Sequence, residues 1–348
     1  MKNNISGKIL VYLFAAGIFI LNIDVQSGKN DFSDIINLAD KFYEEKMYGF
    51  AIDQYDKYLK INPGSTNESS ILYKYAECFY NLKNFSSAIN LYKKLIKLYP
   101  ENTQIDQAWF HLADCQMAQK DFNDAAYSYL HILKNYPASK NAADVLFFSG
   151  KAYYFAARFE ESREMLQKYL KKRPETEFGP EILLILAEIY LKEADDKGAI
   201  SFLEDCIAKY PKDTKIVPKA YSLCAHLYDK TGQADKSEDY YNTCFTKYWD
   251  VHKYPEKIRE YAEFLFKEKK FEKAADIYRL FIDSTENELT EIIQFRIGEC
   301  LRGCGKYRAA LTEFELFREN FPESPKLFLV QYKAALCMIS LKKNRRSY

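Results

Sequence analysis

The sequence predicts an all-α fold in which antiparallel helix pairs repeat along the chain. Three periodic features support this prediction: prolines at a fixed spacing, small residues at two fixed places in each repeat, and an aromatic residue between them. A fixed period of this kind is typical of arrays in which each repeat is one structural unit packed against its neighbours. The 348 residues therefore predict one extended array.

Prolines mark the expected helix ends. Five of them are spaced 37 residues apart, at Pro63, Pro100, Pro137, Pro174 and Pro211. Proline lacks an amide proton and its ring clashes with the preceding turn, so each is expected to end a helix. Two residues after these five prolines, and after Pro322, stands a residue that can cap a helix: Ser65, Asn102, Ser139, Thr176, Asp213 and Ser324. We expect the next helix to start from this cap.

Small residues define where the two helices of a pair approach each other. With the terminal proline as position 32, the repeats start at residues 32, 69, 106, 143, 180, 218, 255 and 291. Position 8 is then Ala39, Ala76, Ala113, Gly150, Ala187, Ala225, Ala262, Gly298 and Ala335. Position 20 is Ala51, Ala88, Ala125, Ser162, Ala199, Ser237, Ala274 and Ala310. Position 17, at the turn between the helices, is aromatic in six of the eight repeats: Tyr48, Phe85, Phe122, Phe159, Phe271 and Tyr307.

The N-terminal segment differs from the array. Lys2 and Lys8 precede thirteen largely apolar residues, 9–21. This run is short for a membrane-spanning helix and suits the apolar core of an export signal. Val25 and Ser27 provide a cleavage site after Ser27. We therefore expect residues 1–27 to be a signal peptide or, if uncleaved, a signal anchor with the array on the outer side.

No combination of residues predicts catalysis, a metal site or a cofactor. Cysteines recur at repeat positions 10 and 27, which suits small buried residues better than disulfides: Cys78, Cys115, Cys300 and Cys337, and Cys206 and Cys244. The four histidines are scattered, and no catalytic motif is present. A net charge of +1 gives no indication of nucleic-acid binding.

The small, large and proline positions resemble the tetratricopeptide repeat (TPR) family from residue 32 to about residue 342. The resemblance implies an α-solenoid of about eight helix-turn-helix units that form a right-handed superhelix with a concave groove. The period is 37 residues here and about 34 in the family. Such lengthened units resemble exported bacterial envelope proteins of the outer-membrane assembly and cell-division coordinator types. The lipidated cysteine of the first and the coiled-coil start of the second are missing.

Three further boundaries follow from this assignment. The array covers residues 28–342, its last helix, about 325–342, caps it, and residues 343–348 form a basic tail. The capping helix is expected to cover the apolar edge of the last pair, as arrays require. The join at residues 211–218, with two prolines and one extra residue, predicts a kink or looser packing.

The resemblance also implies which residues line the groove. In the family, the first helix of each pair turns positions 2, 5, 9 and 12 toward it. In repeats 1–4 these positions form an aromatic row flanked by acids, with candidate partner-binding residues Asp40, Tyr73, Glu77, Tyr80, Phe110, Asp114, Phe147 and Tyr154. Such a groove suits extended segments with basic and apolar side chains. The alternative is that some of the aromatic residues seal the interface to the next repeat.

The sequence thus predicts a non-enzymatic scaffold, exported to the periplasm or cell envelope, that binds other proteins or peptides and no nucleic acid. Two alternatives remain open. One is a cell-wall or glycan-binding accessory protein whose aromatic residues stack on sugars. The other is a membrane-anchored adaptor held by residues 9–21. The sequence leaves the oligomeric state undetermined.

Processing of the N-terminus gives the first testable prediction. The protein purified from an exporting cell should begin at Gly28, because the short apolar run and the Val25-to-Ser27 site fit signal cleavage. N-terminal sequencing checks this. A chain that still begins at Met1 or Lys2 would support the signal anchor instead.

Overall fold

A computed structural model describes residues 10–14, 17–21, 32–250, 253, 255–284 and 289–346. The chain divides into two compact units, Met1–Ala156 (unit 1) and Ala157–Tyr348 (unit 2). A short antiparallel hairpin, β1 (Leu10–Phe14) and β2 (Gly17–Leu21), lies within the segment predicted to be the export signal. The rest of residues 1–27, including the expected cleavage site, lies outside the described residues.

Unit 1 continues with seven α-helices packed in chain order. They are α1 (Phe32–Glu44), α2 (Tyr48–Ile61), α3 (Glu68–Asn81), α4 (Phe85–Leu98), α5 (Ile105–Ala118), α6 (Phe122–Asn135) and α7 (Val145–Phe155). Each of α1, α3 and α5 packs against the helix that follows it, and each second helix packs against the next first helix. These are the predicted repeats 1–3 and the first helix of repeat 4.

Unit 2 contains the remaining ten described helices. They are α8 (Phe159–Lys172), α9 (Gly179–Lys192), α10 (Asp196–Lys209), α11 (Val217–Lys230), α12 (Ala234–Lys247), α13 (Pro255–Lys267), α14 (Phe271–Ser284), α15 (Leu289–Gly303), α16 (Tyr307–Asn320) and α17 (Leu327–Arg346). The all-α prediction and the pairing of consecutive helices are confirmed. No described helix has both the length and the apolar character needed to cross a membrane.

The small residues are buried as predicted. Ala113 on α5 and Ala125 on α6 are both fully buried in one apolar cluster with Tyr129 and Ile132. In the last pair, a Cβ added to Gly298 would lie 2.4 Å from the ring of Phe314, so only glycine fits this close approach. Six residues of the aromatic position 17 are the first residues of their second helices: Tyr48, Phe85, Phe122, Phe159, Phe271 and Tyr307.

The turn inside each pair is closed by the backbone. Position 15 has a positive φ in all eight repeats, at Lys46, Lys83, Lys120, Ala157, Ala194, Gly232, Lys269 and Gly305. In repeats 1–3 and 5–8, the next amide donates back to the carbonyl five residues earlier, as from Met47 N to Phe42 O at 2.8 Å. This is the left-handed helix terminus usually occupied by glycine. The sequence alone did not reveal it, because six of the eight residues are lysine or alanine.

The predicted capping residues bond to backbone amides that lie before the first residue of the next helix. Asn102 Oδ1 accepts from the amide of Gln104 at 2.8 Å, yet α5 begins only at Ile105. Asp213 and Ser324 make the same kind of bond, two residues ahead in each case. The expectation that the next helix starts from this cap residue is therefore wrong. These side chains stabilise a separate turn between the proline and the helix.

Two other expectations need correction. At residues 211–218, α10 and α11 pack together, and Leu203, Cys206, Val217 and Ala220 share one buried cluster, so the join is well packed. The capping helix α17 packs on α15 and α16 as predicted, through Val330 and Cys337. It runs to Arg346, however, so residues 343–346 of the predicted basic tail are helical.

The buried small positions give the second prediction. Ala125→Arg should lower the free energy of unfolding by roughly 3 kcal/mol or more, because a long cation must overpack the pair or stay unpaired. Trp109 packs against the same cluster, so its fluorescence reports unfolding of this helix pair. Urea unfolding is therefore followed by tryptophan fluorescence in a Trp249→Phe background, which removes the other tryptophan. Ala118→Arg is the matched control, since Ala118 is exposed. Equal stability of the two variants would contradict this packing.

Candidate protein-interaction face

All eight predicted groove residues belong to unit 1, on α1, α3, α5 and α7. We call the surface formed by these four helices the first-helix face. Two of the predicted residues, Tyr73 and Phe147, are only 1% exposed. They serve the packing between neighbouring helices, which is the alternative that the sequence left open. The other six are half-buried: Asp40, Glu77, Tyr80, Phe110, Asp114 and Tyr154.

Two of the acids at repeat position 9 accept hydrogen bonds from tyrosines of the second helices. Tyr55 on α2 donates to Asp40 at 2.7 Å, and Tyr129 on α6 donates to Asp114 at 2.5 Å. Both tyrosine rings are buried, and each extends from the second helix so that its hydroxyl group reaches the acid on the first-helix face. Each bond therefore fixes an acid against its own pair.

A second set of tyrosines connects each acid to the preceding repeat. Tyr43 on α1 donates to Glu77 on α3 at 2.5 Å, and Tyr80 on α3 donates to Asp114 on α5 at 3.2 Å. Tyr73 also donates to Glu77, at 3.2 Å. Tyrosine hydroxyls and carboxylates thus alternate along the face. We refer to this arrangement as the tyrosine–carboxylate ladder.

His111 lies in the middle of the ladder. Its ring stacks on Tyr80 with the centroids 5.0 Å apart and the planes 8° apart. Its Nδ1 is 3.2 Å from the hydroxyl of Tyr92 and 3.7 Å from a carboxylate oxygen of Glu77. Burial lowers the pKa of His111, against the opposing effect of Glu77 and Asp114. The ring is therefore held neutral at pH 7, since the ordinary value is already 6.5.

Asp114 is held by hydroxyl groups and not by a cation. Burial raises the pKa of this carboxyl, while the hydrogen bonds from Tyr129 and Tyr80 and the nearby His111 oppose the rise. Within the described residues, neither Glu77 nor Asp114 forms an ion pair with lysine or arginine, whereas Asp40 pairs with Lys74 at 2.9 Å. Glu77 and Asp114 thus differ from Asp40 in having no paired cation.

Two of the corresponding acids of unit 2 pair with cations. Glu299 on α15 lies 2.8 Å from Lys333 Nζ and 3.3 Å from Arg296. Glu263 on α13 lies 3.4 Å from Arg296. At this repeat position, Glu263 and Glu299 are therefore compensated by cations, whereas Glu77 and Asp114 are bonded to hydroxyl groups.

The ladder tyrosines of the second helices escaped the sequence prediction, although a signal for them exists. Position 24 is tyrosine in repeats 1, 2, 3, 6 and 7, at Tyr55, Tyr92, Tyr129, Tyr241 and Tyr278. Position 9 is acidic in six of the eight repeats. The two columns lie fifteen residues apart, and only the packed pair shows that their side chains meet.

The cysteines fit small buried residues. Burial raises the pKa of the Cys78, Cys115 and Cys206 thiols to about 12, so they stay protonated and unreactive at neutral pH. All eight cysteines are free, and the described residues contain no cluster of side chains able to hold a metal ion.

Comparisons with known proteins agree with this architecture. The family model for anaphase-promoting complex, cyclosome, subunit 3 matches residues 28–132. One tetratricopeptide repeat model matches residues 181–213 and 293–324, and another matches residues 218–246. No curated protein sequence matches the chain.

Two solved structures are similar in fold. A tetratricopeptide repeat protein from Parabacteroides merdae has 13% sequence identity and a TM-score of 0.50, over 78% of this chain and 100% of its own. The C-terminal part of a TPR repeat-containing protein from Cytophaga hutchinsonii has 15% identity and a TM-score of 0.57, over 74% of this chain and 98% of its own. The chain contains tetratricopeptide repeats at residues 181–213, 218–246 and 293–324, and it folds as a tetratricopeptide repeat solenoid. Its fold is that of a scaffold for protein–protein interactions.

The buried histidine gives the third prediction. Because the folded pKa of His111 is lowered, the unfolded chain binds the proton more readily. The stability contributed by the neutral ring is present above pH 6.5 and is lost as the pH falls below 6.5. In urea titrations at about pH 7.5 and about pH 5.5, His111→Gln should lose less stability on acidification than the wild type. Equal losses would show that His111 is not the titrating group.

Proposed function

We propose that the protein is a non-enzymatic scaffold whose first-helix face binds an extended segment of a partner protein with basic and apolar side chains. The observation that carries this proposal is the contrast between the two units. Glu77 and Asp114 are bonded to hydroxyls, whereas Glu299 in unit 2 is bonded to two cations. A basic side chain of a partner can supply the missing charge at Glu77 and Asp114.

The ladder favours binding because it fixes the acids before a partner arrives. Each carboxylate is held from two repeats, by Tyr43 and Tyr73 at Glu77 and by Tyr80 and Tyr129 at Asp114. Little side-chain freedom is then left to lose on binding. The remaining lone pairs of the carboxylates can accept bonds from an arginine or lysine.

Apolar contacts come from the half-buried aromatic residues of the same face. Phe110 packs edge-on against Tyr129 and Phe148, at centroid distances of 5.4 and 5.2 Å, and keeps part of its ring accessible. Tyr80 and Tyr154 are also partly accessible. A partner segment that alternates basic and apolar side chains would meet both kinds of site.

The same geometry speaks against sugar binding. Stacking on a sugar needs an open aromatic ring face, but Tyr73 and Phe147 are buried and His111 covers one face of Tyr80. We therefore favour a protein ligand over a glycan. Export to the periplasm or cell envelope remains part of the proposal. It rests on Lys2, Lys8 and the apolar residues 9–21.

The fourth prediction tests the ligand chemistry. A phage-displayed library of random linear peptides, panned on the protein, should yield binders rich in lysine, arginine and apolar residues. Affinity of a selected peptide should fall as salt rises, because exposed charges are screened. Glu77→Gln and Asp114→Asn keep an acceptor oxygen for the tyrosines and remove the charge. Each should weaken binding by about 1 kcal/mol.

Glu101→Gln is the matched control, since Glu101 is an exposed acid in a turn of unit 1. It should leave the affinity unchanged. Two results would refute the proposed site: selected peptides without basic residues, or affinities that neither Glu77→Gln nor Asp114→Asn changes.

A further inference from the structure

Helix α17 exposes an apolar stripe on the side opposite its packed face. Phe328, Tyr332 and Ile339 are 83%, 55% and 51% exposed, and Ala335 between them is half-buried. On the opposite side of α17, Val330 and Cys337 are fully buried against other helices of unit 2. The stripe residues follow one another at intervals of four, three and four, which keeps them on one side of a helix.

Earlier repeats bury residues at the two central positions of the stripe. Tyr332 occupies repeat position 5, where Tyr73, Phe147, Leu184 and Phe295 are all buried. Ala335 occupies position 8, which is buried in all eight preceding repeats. In those repeats, a second helix packs on the first. Among the described residues, none packs on the exposed stripe of α17. The stripe is thus the surface on which this fold normally places another helix.

The chemistry of the stripe favours a second copy of the same helix. The flanking residues Leu329, Gln331, Leu336 and Met338 are uncharged, so a copy meets no repulsion along the stripe. The one cation in this part of α17, Lys333, pairs with Glu299 of the same chain at 2.8 Å. A strongly charged partner helix would find no opposite charge there.

We propose that two copies of this protein associate through α17, packed antiparallel about a two-fold axis. In this arrangement Phe328 faces the partner's Ile339, and Tyr332 faces the partner's Ala335. A large side chain then meets a small one in the central layers, as knobs-into-holes packing prefers. The interface is isologous, because the same stripe contributes both sides.

A parallel arrangement is less favourable for two reasons. It would place Tyr332 against the partner's Tyr332 and leave a gap between the two Ala335 residues. It would also place Lys342 beside the partner's Lys342, and these like charges would repel each other. The antiparallel pair separates these ends.

The test uses a charge exchange that only the antiparallel register allows. Phe328→Lys alone and Ile339→Glu alone place a charge against an apolar residue in both halves of the dimer. Each should weaken self-association at least about tenfold, since buried anchors dominate such interfaces. An equal mixture of the two variants should associate again. In that heterodimer the introduced lysine faces the introduced glutamate, and the other half is native.

Analytical ultracentrifugation of the full chain in a non-ionic detergent, which keeps the apolar residues 9–21 dispersed, measures the association. Leu98→Lys is the control, because Leu98 on α4 is also exposed, at 52%. It should associate like the wild type. A wild-type chain that stays monomeric, or single variants that dimerise normally, would overturn the proposal. A mixture that fails to associate would overturn the antiparallel pairing.

Discussion

A small residue on each helix of a pair is the constraint on which the other features of the pair depend. Ala113 on α5 and Ala125 on α6 are fully buried in one cluster, and Gly298 lies under the ring of Phe314, so the first and second helices can approach closely. A larger residue at either place would push the helices apart. The reach of Tyr129 from α6 to Asp114 on α5, at 2.5 Å, exists only at this separation. Packing of apolar atoms therefore sets the geometry of the polar ladder on the surface.

Sequence reasoning succeeded wherever a residue has one dominant physical reason to recur. Proline can only end or begin a helix, and alanine at a fixed place in both helices has no better explanation than close packing. It failed where one pattern has two explanations. Tyr73 and Phe147 share a helical face with Glu77 and Asp114, and periodicity cannot distinguish a groove from a seam between repeats. The ladder was out of reach because its bonds join residues 15 and 34 positions apart, whose meeting depends on the packed arrangement.

The acids at repeat position 9 are satisfied in two different ways. In unit 2, Arg296 and Lys333 neutralise Glu299, so the bond contributes mainly to cohesion between repeats. In unit 1, hydroxyl groups satisfy the hydrogen-bonding needs of Glu77 and Asp114 without cancelling their charge. Hydrogen bonding and charge compensation are thus separated in unit 1. A surface of this kind can be rigid and still attract a cation.

The turns between paired helices have a consequence for how the chain can change over time. Each is closed by backbone amides and carbonyls around a left-handed residue, and the side chain there is lysine, alanine or glycine without effect on the bond pattern. The conformation of the turn therefore depends little on which side chain is present. A segment of 37 residues that is copied or lost takes its complete turn with it. Lineages of such proteins can gain or lose repeats without having to invent new connections, while these positions stay open to neutral drift.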